Sequence, residues 1–314
     1  MSSGRDRAAP VVVAVGADER SATDAVDWAA AEAAVRGRPL CIVHAPDCGV
    51  PAAPFDLALP ACGLPPTDEA TRYVLTAAAD RARAVASDLV VSAEAVPGPV
   101  VPALLAAAHP AALLVLGGRR GRVRALLTGS ATAAVAGEAA CPVAVVRARG
   151  DAGAARGGPR VVVGIGVARS AGGVLRHAFD AAAQRGVPLV AVHAWTPDVP
   201  ADLEAVCGCR DEAEATAHQV LEDALAPWRR QFDGVPVVSR VVRADPARAL
   251  VEASDGAALS VVGAPARTHL LAGIRSVTHR VLYRARGPVV VCPDLGVTGD
   301  GRHGLRREPP AVAG

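Results

Sequence analysis

At 314 residues, with 33 basic and 31 acidic side chains, the chain carries a net charge of +2, a balance that argues against an electrostatic nucleic-acid binder. Hydrophobic residues make up 51 % of it but aromatics only 3 %, so the core is built from Ala, Val and Leu, which suits helices packed closely on a parallel sheet. Every basic residue is Arg; this excludes a lysine-bearing phosphate loop and a Schiff-base enzyme, and a GC-rich genome accounts for the bias without any function.

Residues 1–9 read as a loose tail. The apolar run after them is too short for the core of a signal peptide. Val11–Val15 is an unbroken apolar run, expected of a buried strand. Residues 21–36 read as a helix with Ser21 as N-cap and Asp24 at its third position. Leu40–His44 is a second strand, and the Pro-rich 46–66 is irregular. A helix capped by Thr67 follows over 67–87, then a strand over 89–95, a short helix over Val100–Ala108 and a strand over 112–116. A Gly/Arg loop spans 117–128, a helix starts at Ser130, and 143–146 is a strand. The segment 148–159, ARGDAGAARGGP, is a linker. Beyond it, strands fall near 161–165, 189–193, 235–242, 258–262 and 289–292, and helices near 170–185, 211–232, 246–255 and 276–285. The Gly- and Arg-rich 294–314 reads as a disordered tail. The longest uncharged run lies between Glu94 and Arg119 and holds Pro97, Pro99, Pro102 and Pro110, too many for a membrane helix.

The chain repeats itself. Residues 161–194, VVVGIGVARSAGGVLRHAFDAAAQRGVPLVAVHA, answer 11–45, VVVAVGADERSATDAVDWAAAEAAVRGRPLCIVHA. CPVAVV at 141–146 answers GPVVVC at 287–292, and His44 and His193 lie 149 residues apart. A unit of just under 150 residues is duplicated, giving domains over 10–147 and 160–293. The order βαβαβαβαβ in each predicts an α/β fold of two tandem, doubly wound, five-stranded parallel sheets with right-handed crossovers.

In such sheets ligands sit beyond the carboxyl ends of the strands. The most informative segment there is LVLGGRRGRVRALLTGSATAAV. Its glycines Gly117, Gly118 and Gly121 let backbone approach an anion. Gly129 and Ser130 open a helix whose free N–H groups and dipole face the loop. Ser130 and Thr132 add hydroxyl donors, and Arg119, Arg120, Arg122 and Arg124 make the rim cationic. A phosphate fits this chemistry; a glycine turn with a Ser N-cap and solvated arginines accounts for the same residues.

On these residues the chain resembles the universal stress protein family in a tandem form, over essentially 10–293. CPVAVVR and GPVVVC are similar to the family's last strand, and SATDAVDWAAAEAAVRGRPLCIVHA and DPARALVEASDGAALSVVG also follow its run of residues. The resemblance implies a Rossmann-like fold of the adenine-nucleotide alpha-hydrolase type and pairing of the last strands, 143–146 and 289–291, between the two domains. Unpaired, those strands would leave apolar edges. One subclass of the family binds ATP through G-x-x-G, nine residues and G-S/T, with an Asp at the end of its first strand. This chain departs from that pattern. Gly16 and Gly166 stand where the Asp is expected, with Asp18 two residues on. Ala112 and Ala258 replace the Asp before strand four. Seven residues separate Gly121 from Gly129. In the second domain Ala266 and Arg275 replace two of the glycines. The implied site is therefore a degenerate one in the first domain: Gly16, Ala45 (whose backbone meets adenine in the family), Gly117, Gly118, Gly121, Gly129 and Ser130.

His44 and His193 end matching strands and read as core or rim histidines ahead of catalytic ones. The seven cysteines, an odd number spread over a long chain, read as reduced thiols in a cytoplasm. Cys48, Cys62, Cys207 and Cys209 are the candidates for zinc or a redox bridge, but no C-x-x-C pair supports them. No hydrolase or metalloprotease motif is present. The expectation is a cytoplasmic binding or regulatory protein, not an enzyme, with weak ATP or AMP binding and no metal. Its expected partners are its own paired domains, unidentified proteins and a second copy of the chain, with neither nucleic acid nor membrane. The alternatives are a nucleotide-free interaction protein and a slow ATPase.

Overall fold

The computed structural model describes residues 9–16, 19–46, 68–118, 131–147, 158–166, 171–196, 209–264 and 276–293. The first domain runs β1 (Val11–Val15), α1 (Glu19–Val35), β2 (Leu40–His44), α2 (Asp68–Val85), β3 (Val91–Ala95), α3 (Val100–Ala108), β4 (Leu113–Gly118), α4 (Ala131–Glu138), β5 (Val143–Arg147). The second repeats it as β6 (Val161–Gly164), α5 (Ala171–Arg185), β7 (Leu189–Trp195), α6 (Cys209–Gln231), β8 (Val237–Arg243), α7 (Pro246–Ala253), β9 (Leu259–Gly263), α8 (Val277–Arg284), β10 (Val289–Cys292).

All ten strands form one sheet, in the order β3-β2-β1-β4-β5-β10-β9-β6-β7-β8. Within each domain every pairing is parallel. The seam is antiparallel, with Val145 opposite Val289, Ala144 opposite Val290 and Val143 opposite Val291. The expected pairing of last strands is thus what joins the halves. The central strands are buried on both faces, which explains their unbroken apolar runs. One apolar core, under α1, α2, α5 and α6, runs across both domains, and so does the other, under α3, α4, α7 and α8. The outer edge strands differ: β3 is largely exposed and β8 alternates, carrying Arg240 and Arg243 into solvent, as edges that resist further pairing do.

Three details correct the sequence reading. Helix α1 begins at Glu19, so Ser21 lies inside it and is not its N-cap. Strand β4 continues through Gly117 and Gly118, because both still pair with β5, opposite Val146 and Arg147. Strand β7 runs on to Trp195, paired residue for residue with β8 as far as Arg243.

The repeated R-G-x-P break has a specific geometry. Gly37 and Gly186 have φ of 60° and 61°. The N–H of Gly37 donates to Ala34 and that of Arg38 to Ala33, and in the second domain Gly186 donates to Ala183 and Val187 to Ala182. Each is a Schellman turn, which needs a left-handed residue after the helix and so selects Gly. It sets Arg36 and Arg185 at the C-caps of α1 and α5, where a cation suits the helix dipole.

Those two arginines meet over the seam. Nε of Arg36 donates to Oε1 of Glu32 at 2.6 Å, and Nη2 of Arg185 donates to its other oxygen, Oε2. Glu32 is only 3 % exposed. Nη2 of Arg36 also lies 3.3 Å from Nε2 of His177 on α5, which is 8 % exposed. The guanidinium can only donate, so His177 accepts through Nε2. Burial, reinforced by Arg36 and Arg185, pushes the His177 pKa down to about 3. As pH falls below an unfolded value of about 6.5, the unfolded chain takes a proton the folded chain refuses. His177 should therefore erode stability by about 1.4 kcal/mol per pH unit below about pH 6.5. Denaturant unfolding between pH 7 and pH 5 should show this slope, and His177→Gln should flatten it by that amount; an equal slope in the variant would contradict the assignment.

Candidate functional site

The strand order reverses direction between β1 and β4 in the first domain and between β6 and β9 in the second. These are the switch points at which crossover helices leave on opposite faces and a crevice opens beyond the carboxyl ends. Gly16 follows β1 at the first of them. It is exposed, and a Cβ built on it would meet nothing within 4 Å. Gly166 holds the matching position in the second domain and is equally open. Ala45 follows β2 on the same rim, and Gly117 and Gly118 end β4. The structure thus brings Gly16, Ala45, Gly117 and Gly118 to one end of the sheet. Gly121, Gly129, Ser130 and the arginines 119, 120, 122 and 124 lie outside the described residues, as do Asp18, Ala266 and Arg275.

Gly118 does not hold a vacant cradle. A Cβ there would fall 2.8 Å from Cγ of Arg147 and 3.1 Å from Cγ1 of Val145. The missing side chain lets the stem of Arg147 lie across the strand end. The Arg147 guanidinium then reaches the other domain, donating to the Ala285 carbonyl at 3.2 Å and standing 5.8 Å from the centre of the Tyr283 ring. Sequence reasoning passed over Arg147. The signal was present, as the one charged residue closing the apolar run CPVAVVR, but its use depends on an antiparallel neighbour that only the seam supplies.

Both strand-end histidines act as clamps. Nδ1 of His44 donates to the Val15 carbonyl at 2.8 Å, and Nδ1 of His193 to the Ile165 carbonyl at 2.9 Å. A carbonyl only accepts, so Nδ1 carries the proton in each. The bond pins the last carbonyl before Gly16 or Gly166 and so shapes the crevice floor. His193 is buried, 4 % exposed, and His44 is half-buried.

The second crevice is lined by side chains that serve the fold. There the hydroxyl of Ser276 accepts from the His279 N–H at 3.1 Å as the N-cap of α8. The hydroxyl of Thr278 donates to the Gly263 carbonyl at 2.7 Å. These two hydroxyls repeat Ser130 and Thr132, and here both serve the fold. Asp245 caps α7 by accepting from the Arg248 N–H at 2.9 Å and binds Arg280 of α8 at 2.7 Å. That partner holds its carboxyl below the usual carboxylate range. The matching residue in the first domain is Pro99, with no side-chain cap. Trp195, 5.9 Å from the Arg243 guanidinium, adds bulk at the rim that β2 lacks. A groove of about 960 Å³ also opens on the second domain, but at the amino ends of the strands, away from the crevice. Of its charged side chains, Arg286 pairs with Asp255 at 3.6 Å, Arg160 donates to the Asp255 backbone carbonyl at 2.6 Å, and Glu252 pairs with Arg248 at 2.8 Å.

Among the described residues no cluster of three or more His, Cys, Asp or Glu side chains could hold a metal ion. Cys48, Cys62 and Cys207 lie outside them. Burial pushes the thiol of Cys141 up to about 11 and that of Cys292 up to about 12, so both stay protonated and unreactive. No described helix is long and apolar enough to cross a membrane.

Comparison with known proteins bears on this geometry. The Universal stress protein family matches twice, over residues 9–147 and 159–293. A universal stress protein of Mycobacterium tuberculosis is 36 % identical over 290 residues, covering 89 % of this chain and 96 % of the relative. Another from the same organism is 34 % identical over 303 residues, covering 93 % and 98 %. A universal stress protein from Archaeoglobus fulgidus superposes with a TM-score of 0.64 at 15 % identity, covering 91 % of this chain and 97 % of that one. The cytoplasmic domain of a prokaryotic cation chloride cotransporter also shares the fold, with a TM-score of 0.53 at 11 % identity, covering 91 % and 96 %. With two matched copies of the domain in one ten-stranded sheet, the chain belongs to the universal stress protein family as a tandem member.

Proposed function

We propose that this protein is a cytoplasmic regulatory or binding module that takes ATP or AMP weakly, in the first domain's crevice, and catalyses no reaction on it. The observation that carries the reading is the commitment of the second crevice's hydroxyls to the fold. In the second, the Ser276 and Thr278 hydroxyls are committed to capping and to the Gly263 carbonyl, and Trp195 and Arg243 thicken the rim. Gly16 of the first faces open space just as Gly166 of the second does, so the choice of the first rests on its sequence, which keeps glycines and arginines that the second has lost. Family membership supports a nucleotide as the ligand class. The absence of a carboxylate at Gly16 removes one polar anchor and an evident magnesium ligand. Binding should therefore be micromolar or weaker, nearly independent of magnesium, and without measurable hydrolysis.

The second reading is a nucleotide-free module working through protein contacts. Arg147 favours it, because its stem occupies the space that Gly118 leaves. Denaturing freshly purified protein and separating the released nucleotides by chromatography distinguishes the two: ATP or AMP supports the first reading, and none the second.

Two further outcomes follow from the site. Titration calorimetry should give one nucleotide per chain, abolished by Gly129→Val and untouched by Arg275→Val; two per chain would refute assignment to the first domain. Gly16→Asp should tighten ATP binding by about ten- to a hundredfold, the worth of one hydrogen bond to a charged group of about 1.5–3 kcal/mol. No gain would favour the nucleotide-free reading.

A further inference from the structure

The seam carries a buried charge cluster that the repeat does not supply twice. Arg36 and Arg185 are repeat-equivalent, 149 residues apart, each at the C-cap of its Schellman turn. Both donate to one carboxylate, Glu32. At the same spacing the position equivalent to Glu32 is Ala181, fully buried. The position equivalent to Trp28 is His177, neutral and accepting from Arg36. The seam therefore holds two guanidiniums, one carboxylate and one neutral imidazole. Asp180, also on α5, is half-exposed and 3.9 Å from Arg176, and it also feels the Arg36 guanidinium across the seam, though without a hydrogen bond to it.

We infer that Glu32 selects the partner of the second domain: the α5–β10 surface accepts a first domain, which brings the carboxylate, and rejects another second domain. The backbone does not make that choice, since β10 against a second β10 would offer the same antiparallel ladder and much the same apolar side chains. The charges do. Two second domains face to face would place two part-buried Arg185 guanidiniums and two imidazoles at the seam with no Glu32, leaving only the half-exposed, Arg176-paired Asp180 as counter-ion, and loss of a buried, hydrogen-bonded partner is strongly disfavoured. Two first domains would bring two carboxylates to two arginines and suffer no such penalty. The discrimination thus lies in the second domain and acts by excluding a wrong partner as much as by rewarding the right one.

The test uses the full chain with a protease site inserted between residues 148 and 157, cut after folding, so that the domains are held only by the seam. Native mass spectrometry and dilution then read which species persist. The wild type should remain a first–second pair with no second–second species. Glu32→Gln and Arg185→Gln should each raise the dissociation constant about a hundred- to a thousandfold. The double variant should fall short of the product of the two losses by about tenfold or more, the mark of a direct coupling. Asp27→Asn, which removes an exposed partner of Arg81, should leave pairing unchanged. A stable second–second species in the wild type, a Glu32→Gln pair as tight as wild type, or single losses that simply multiply would each overturn the inference. If the cut domains unfold on separation, the same cycle of Glu32→Gln and Arg185→Gln, read as thermal midpoints of the uncut chain, decides it: additive shifts overturn it and non-additive shifts support it.

Discussion

The antiparallel ladder between β5 and β10 is the contact on which the rest of the molecule depends. Without it each domain would end in an apolar strand, Val143–Arg147 or Val289–Cys292, with a row of unpaired backbone groups. With it, two five-stranded sheets become one, and both apolar cores run continuously from domain to domain. The linker keeps the two edges at high effective concentration, so three facing residue pairs suffice to initiate a junction that the flanking helices then bury.

What those helices bury is not uniform. Under α1 and α5 the seam holds the Glu32 cluster, while on the other face Arg147 crosses to Ala285 and Tyr283. An arginine thus bridges the domains on each face. The two bridges differ in solvent access and in what they touch. Glu32 is sealed off, which suits a role in pairing. Arg147 stands at the carboxyl end of the sheet, beside Gly118, so the geometry of the first crevice depends in part on the second domain. A change in how the domains pack would be felt there first.

Duplication has left the two copies with different side chains at matching positions. The repeat preserved the parts that build a strand end: the Gly after the first strand, the His that pins its last carbonyl, the Schellman turn. It did not preserve the parts that distinguish the copies, Glu32 against Ala181, Trp28 against His177, Pro99 against Asp245. Those differences fall at the seam and around the crevices. In the second copy Ser276 and Asp245 cap helices and Thr278 binds the Gly263 carbonyl, while Gly16 and Gly166 leave both crevice floors open.

The sequence by itself determined the order and type of the elements, because unbroken apolar runs and period-3.6 patterns report burial locally, and a repeated pattern reports it twice. Leu40–His44 and Val100–Ala108 were legible to the residue. Element ends that depend on a neighbour were not. Gly117 and Gly118 read as loop, since glycine signals a turn, yet the hydrogen bonds of β5 keep them in the sheet. Ser21 read as a cap, yet α1 had already begun two residues earlier. The glycines of the crevice were legible as candidates, but whether a missing side chain makes room for a ligand or for Arg147 is a question of which atoms lie across the strand. The convergence of Arg36, Glu32, His177 and Arg185 belongs to the tertiary structure alone, because side chains nearly 150 residues apart in the chain meet only when the sheet closes at its seam.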